Sequence, residues 1–370
     1  MEKSRDNSID IIKGLAIILM VYGHTFGMAR DFIYLFHMPI FIFVSGYCYN
    51  KKHYDSLQAF ESYFFSRVRR LLLPYLAYNI VFVLLTNVFL KLNFYTDKEA
   101  FKLAVVPIQK AAQGLTTHLG PRAMLNELYP VITLDSVPQM GSASWFIVVL
   151  FLVCVIHTFL GCLINHIFKN EKLRVAAWAI IFAIVLIITG LVSNGFFADM
   201  EMANRHSQIF EVYTCFLVAV AFRKLNLPQP KKIWQQLICI AITAAALTFM
   251  LRFGTLEMSK CAIINPGFLV AATIVGYYFM YAIAGLLSAT PLARLFVFLG
   301  QHTLPILFLH ILAFKFVSLG YVLFHHLPLY LVASWPVLFN VGEVTKLIYT
   351  AVGVALPALI MYALGRIKKF

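Results

Sequence analysis

The chain has 370 residues, of which 61% are hydrophobic and 12% charged, and its mean hydropathy is +0.82. Soluble domains carry about 25% charged residues, so this composition excludes an ordinary soluble fold and indicates an all-α, polytopic integral membrane protein. The net charge of +14 does not point to nucleic acid, because the basic residues lie in short loops between apolar spans, as charges that set orientation do.

Apolar windows predict about ten transmembrane helices, near 9–28, 31–49, 71–93, 145–167, 174–192, 208–222, 233–251, 265–287, 303–324 and 345–366. An even number puts both termini on one side. With that side inside, the inner segments hold eighteen Lys and Arg, including Lys3, Arg5, Lys368 and Lys369, against ten outside, including Lys110. Both termini are therefore expected in the cytoplasm. Ile9–Met28 is too long for a signal-peptide core and carries ionisable groups, so a retained first helix is expected.

The longest connection, about 95–144, is expected outside, partly folded against the helices as a cap. Residues 60–74 (FESYFFSRVRRLLLP) form a basic amphipathic run suited to the inner membrane surface. No segment is polar enough for a soluble domain, so 1–370 reads as one membrane domain.

Charged and titratable groups inside the first two spans carry the functional signal. The first holds Asp10, Lys13 and His24, and the second holds His37. Ionisable residues in hydrocarbon are costly, about 2.5–3.5 kcal/mol at a helix centre on insertion scales, and usually mark function. Asp10 lies one turn before Lys13 and can pair with it. Lys13 and His24 fall ~20° off a shared helical face and ~16 Å apart along the axis. Gly14 keeps that level open to a neighbouring backbone. His37 lies at a depth similar to His24 on the next helix, and Pro39 perturbs the helix beside it.

A lone intramembrane His often only bonds a neighbouring carbonyl. Two at matched depth, above a charged pair, favour a polar reaction site. Arg67, Arg69 and Arg70 form a basic cluster suited either to phosphate groups or to anionic lipid. Lys315 is expected to snorkel outward and Glu211 to be solvated at a helix end. The six cysteines show no CxxC spacing, and no disulfide or metal site is expected. There is no P-loop, HExxH or GxSxG.

Several stretches together resemble one known family. IDIIKGLAIILMVYGHT, FHMPIFIFVSGYCYNKK and SRVRRLLLPYL resemble the opening of the membrane-bound acyltransferase-3 family, in its fucose 4-O-acetylase-like, surface-glycan O-acetyltransferase branch. SASWFIVVLFLV and LGQHTLPILFLHI resemble later helices of that family, with His310 in the matching place.

The resemblance implies about ten membrane helices and O-acyl transfer from cytoplasmic acetyl-CoA to a hydroxyl of a cell-surface or lipid-linked carbohydrate. The location implied is a bacterial cytoplasmic membrane. The family's basic residue followed after ten positions by His corresponds to Lys13 and His24. Many relatives have Arg at the first position, which weakens a direct phosphate role for Lys13. On this reading His24 is the general base, His37 orients His24 or holds the developing oxyanion, and Asp10 supports catalysis in its pair with Lys13. Lys13, Arg67, Arg69 and Arg70 face the donor. Many relatives carry a fused extracytoplasmic hydrolase-like domain that is not visible here, so a second acyl-carrying step would need a partner in glycan assembly or be absent. The competing class is a transporter or flippase for a lipid-linked sugar or small metabolite, and a third is a membrane module serving a partner enzyme.

Overall fold

The computed structural model describes residues 7–105, 114–196 and 204–367. Lys3, Arg5, Lys110, Lys368 and Lys369 of the charge count lie outside the described residues.

The amino-terminal third is built from short helices: α1 (Asn7–Gly23), α2 (Arg30–Tyr34), α3 (His37–Tyr47), α4 (Leu57–Arg67), α5 (Leu73–Leu84) and α6 (Thr86–Lys91). Next come α7 (Glu99–Val105) and α8 (Pro121–Ile132), both inside the stretch expected as one long connection. Long helices follow: α9 (Trp145–Ile167), α10 (Glu171–Ser193), α11 (Asn204–Lys224), α12 (Ile233–Met250) and α13 (Pro266–Ser288). A short α14 (Ala293–Gln301) precedes α15 (Thr303–Phe324) and α16 (Glu343–Ile367). No strand occurs among the described residues. Six of these helices, α9, α10, α12, α13, α15 and α16, are long and apolar enough to cross a membrane. The chain is an all-helical, multi-pass membrane protein.

The later helices coincide with the apolar windows, whereas the first three windows are interrupted for identifiable reasons. The helix expected over 9–28 ends at Gly23, and Phe26 adopts a left-handed φ of 55° that no α-helix continues. The window 31–49 splits into α2 and α3. The break places Pro39 in the first turn of α3, where a missing N–H leaves no intrahelical bond unmade. The window 71–93 opens with a π-turn, Val68–Leu72, in which the Leu73 N–H reaches back to the Val68 carbonyl. Pro74 follows, and the π-turn absorbs its lost donor.

Packing divides the chain into two compact units, the first comprising Met1–Ala16, Asp31–Pro74 and Phe146–Gln301 and the second Ile17–Arg30, Tyr75–Trp145 and His302–Phe370. Helix α1 contributes to both.

In the first unit α3 packs on α11 and α13, α10 on α11, and α12 on α13. Two glycines set the crossing of α1 and α14. Gly14 on α1 abuts the Phe296 carbonyl of α14, and Gly300 on α14 abuts the Asp10 carbonyl of α1; a Cβ on either would overlap that oxygen. The two backbones therefore meet directly, the arrangement small residues permit in membranes. Glu211 on α11 departs from the solvated position expected for it. It is fully buried, and neither carboxylate oxygen has a hydrogen-bond partner among the described residues.

In the second unit α15 packs on α16 and on the 3-10 turns Gln139–Ser144 and Leu329–Ala333. Lys315 does not snorkel. Its side chain is fully buried, and Nζ donates to the carbonyls of Val332, Ala333 and Ser334 at 3.2, 3.2 and 2.6 Å. An ammonium carries three donors, and here three backbone acceptors replace water. Lys315 thus pins the 329–334 segment to α15.

Candidate active site

The second unit holds the arrangement with the clearest chemistry. His24 follows the last residue of α1, its backbone N–H still bonded to the Met20 carbonyl at 3.2 Å. Its imidazole Nδ1 lies 2.7 Å from Nε2 of His310 on α15. The rings stack with centroids 5.0 Å apart and planes at 25°. His310 is fully buried, whereas His24 is only partly buried.

The hydrogen bonds assign the tautomers. Nδ1 of His310 lies 2.8 Å from the Leu307 carbonyl and 3.1 Å from that of Ile306. Carbonyls only accept, so His310 Nδ1 carries the proton. In the neutral ring Nε2 is then the acceptor, and the hydrogen across the 2.7 Å contact belongs to His24 Nδ1. That leaves the remaining lone pair of neutral His24 on Nε2. A buried, helix-anchored imidazole thus orients a more accessible one.

A polar network fixes the turn that follows His24. The Tyr22 hydroxyl donates to Oε2 of Glu343 at 3.1 Å, and the Met28 N–H approaches the same oxygen at 3.4 Å. Lys346 donates to Glu343 Oε1 at 2.8 Å and to the Phe26 carbonyl at 3.1 Å. The start of α16 therefore grips both sides of Thr25. Two residues before His310 on α15, Phe308 stacks on Tyr78 of α5 at 4.5 Å and 8°. Asn79, one residue on, donates to Ser144 Oγ at 3.1 Å and ties the Gln139–Ser144 turn to α5.

The remaining sequence candidates lie in the first unit. Asp10 and Lys13 form the expected pair, with Nζ 2.8 Å from Oδ1. Asp10 is buried and Lys13 half-buried. His37 begins α3, buried, with Nδ1 3.0 Å from the Ile33 carbonyl and its ring beside Tyr34. Arg67 ends α4, and its guanidinium lies over the Tyr63 ring at 4.8 Å. Arg69 and Arg70 sit in the π-turn, exposed. Tyr63 in turn packs on His53 at 4.3 Å and on Tyr49 at 5.6 Å. Burial, and secondarily the Arg67 charge, holds His53 below the ordinary imidazole range.

Sequence reasoning offered His37 as the group to orient His24; the structure sets His310 against the His24 ring. The sequence signals for His310 were its position inside an apolar span and its place in the LGQHTLPILFLHI stretch. Glu343 and Tyr22, which secure the His24 turn, carried no signal at all, since a Glu at a helix start reads as an ordinary N-terminal charge.

A family model described as an acyltransferase domain matches residues 6–364, nearly the whole chain. No curated protein and no solved structure matches the chain.

Proposed function

The chain belongs to the acyltransferase-domain family and is a multi-pass membrane acyltransferase; on that premise we propose that it moves an acetyl group from acetyl-CoA to a carbohydrate hydroxyl. The His24–His310 contact carries this reading. The His24 Nε2 lone pair takes the acceptor's hydroxyl proton as that oxygen attacks the thioester carbonyl carbon. The carbon–sulfur bond then breaks, and the departing thiolate recovers the proton from His24. The products are the O-acetyl ester and CoA. As His24 becomes imidazolium, its Nδ1–H donates more strongly to neutral His310, and this stabilises the charge where it develops.

In this proposal His310 takes the orienting role that the sequence offered to His37. Asp10 and Lys13 form a polar pair in the first unit, and Arg67, Arg69 and Arg70 offer guanidinium forks to the donor phosphates. The acceptor is a cell-surface or lipid-linked glycan, as in the fucose 4-O-acetylase-like branch, and the location is a bacterial cytoplasmic membrane. The resemblance of the first eighty residues supports both.

The test is release of CoA from acetyl-CoA by protein in lipid nanodiscs, with and without a pool of lipid-linked glycans. Glycan-stimulated release is expected from wild type and not from His24→Ala, with both inserted equally. Release that persists in His24→Ala overturns the base role, and absence of both release and acetyl-CoA binding in wild type overturns the donor.

A further inference from the structure

The first unit contains a cavity of about 450 Å³ at one end of its helix bundle, apart from the residues assigned above. Its lining comes from α3, α9 and α11, the start of α10, and the connection 49–55 that follows α3. Cavities of roughly 300–1,000 Å³ suit small organic ligands.

Its floor is aromatic and already set in place. Trp178 lies over His157 at 4.5 Å, and Tyr49 meets the same imidazole edge-on at 4.7 Å. His157 is buried and held by the Tyr213 hydroxyl, 3.2 Å from its Nδ1. Tyr54 completes the wall, and Gly161 makes room for it, since a Cβ there would strike the Tyr54 ring. Trp178 is only half-buried, so part of its face borders the cavity.

The rim is basic. Arg223 uses Nη1 for the carbonyls of Tyr47 and Tyr49, at 2.9 and 2.8 Å. Its other guanidinium nitrogens make no protein hydrogen bond among the described residues. Arg174 is anchored through Nε to the Phe168 carbonyl at 2.8 Å. Lys51 and Lys224 are exposed beside them. Two carboxylates also line the site: Glu171, 4.0 Å from Arg174, and Asp55. The four cations outnumber them, and a carboxylate at such a rim can accept from ribose hydroxyls.

An aromatic floor with a fixed guanidinium at its edge selects a planar ring that bears phosphate. Anionic lipid headgroups satisfy the rim but leave the floor unused. We propose that this cavity binds a nucleotide, its base against Trp178 and its phosphates on Arg223, Arg174, Lys51 and Lys224. The nucleotide comes either from the head of the acyl-CoA donor or from a free nucleotide in solution. Only the first source rests on the function proposed above. It would extend the donor-binding surface from Arg67 through Tyr63 to Tyr49 in the cavity floor.

The test titrates adenosine 3′,5′-bisphosphate into nanodisc-embedded protein by calorimetry. Binding is expected, with affinity falling about tenfold in Trp178→Leu and about tenfold in the Lys51→Gln/Lys224→Gln pair, whose side chains are exposed and do not hold the fold. Competition by CoA, with a raised KM for acetyl-CoA in the same variants, identifies the donor head as the source. Binding that CoA does not displace identifies a free nucleotide and still supports the cavity. No binding, binding untouched by both variants, or displacement by anionic lipid overturns the proposal. Nucleotide binding without any acyl transfer overturns the function proposed above and leaves the cavity standing.

Discussion

Nδ1 of His24 and Nε2 of His310 meet at 2.7 Å, although 286 residues separate them in the chain. One nitrogen must donate and the other accept, and the carbonyls of Ile306 and Leu307 decide which. The proton that anchors His310 to its own helix therefore sets the tautomer of His24.

Removing His310 takes away the acceptor that fixes the His24 tautomer. His310→Ala is expected to lower kcat by about 10²-fold with little change in the KM for donor. His310→Gln, whose amide oxygen can accept from His24 Nδ1, should recover part of that loss. Steady-state kinetics of the two variants check this, and equal activity of His310→Ala and wild type would refute the orienting role.

Glu343 holds Tyr22, Lys346 and the Met28 N–H around the His24 turn. Glu343→Gln retains the shape and weakens the charge-assisted contacts. It is expected to lower kcat by about 5–10-fold while insertion and melting temperature stay near wild type, since such partly exposed contacts contribute little to stability. Tyr22→Phe should have a smaller effect. A variant that melts early with normal kcat would assign Glu343 to structure alone.

Lys315 satisfies three buried carbonyls, of Val332, Ala333 and Ser334. Lys315→Met fills much the same volume but leaves those oxygens without donors. A loss of about 3 kcal/mol is expected, read as a lower melting temperature and as faster proteolysis between 325 and 342. Unchanged melting and proteolysis would mean that the segment is held by other contacts.

His53 provides a pH test of the aromatic cluster around Tyr49. Burial and the Arg67 charge depress its pKa, so the folded state favours neutral imidazole. The unfolded chain then binds more protons below the ordinary His value of about 6.5, and stability is lost as pH falls through that range. The melting temperature of wild type should fall more between pH 7 and pH 5 than that of His53→Gln. Parallel curves for the two proteins would contradict this.

The fold was legible where apolar runs are unbroken. The windows 145–167 and 303–324 coincide with α9 and α15, because a long hydrophobic run in lipid has only the helix to satisfy its backbone. It was less legible around Pro39 and Pro74, where a missing N–H splits or rewinds the helix in ways that hydropathy does not register. In the site, the Asp10–Lys13 pair could be read directly, since residues three apart on a helix are neighbours. The fates of Lys315 and Glu211 could not. Glu211 looks like a solvated charge at the end of a span and Lys315 like one within a span that snorkels to water, yet both are fully buried.

The sequence by itself determined the membrane class, most of the long helices and the local charge pair, because hydropathy and helical period act over roughly 4–20 consecutive residues. Only the tertiary structure decided that His24 faces His310, which of its nitrogens holds the proton, and which aromatic and basic side chains enclose one cavity. Those relationships come from contacts between segments far apart in the chain, and their chemistry depends on distances of about 3 Å that no spacing along one helix specifies.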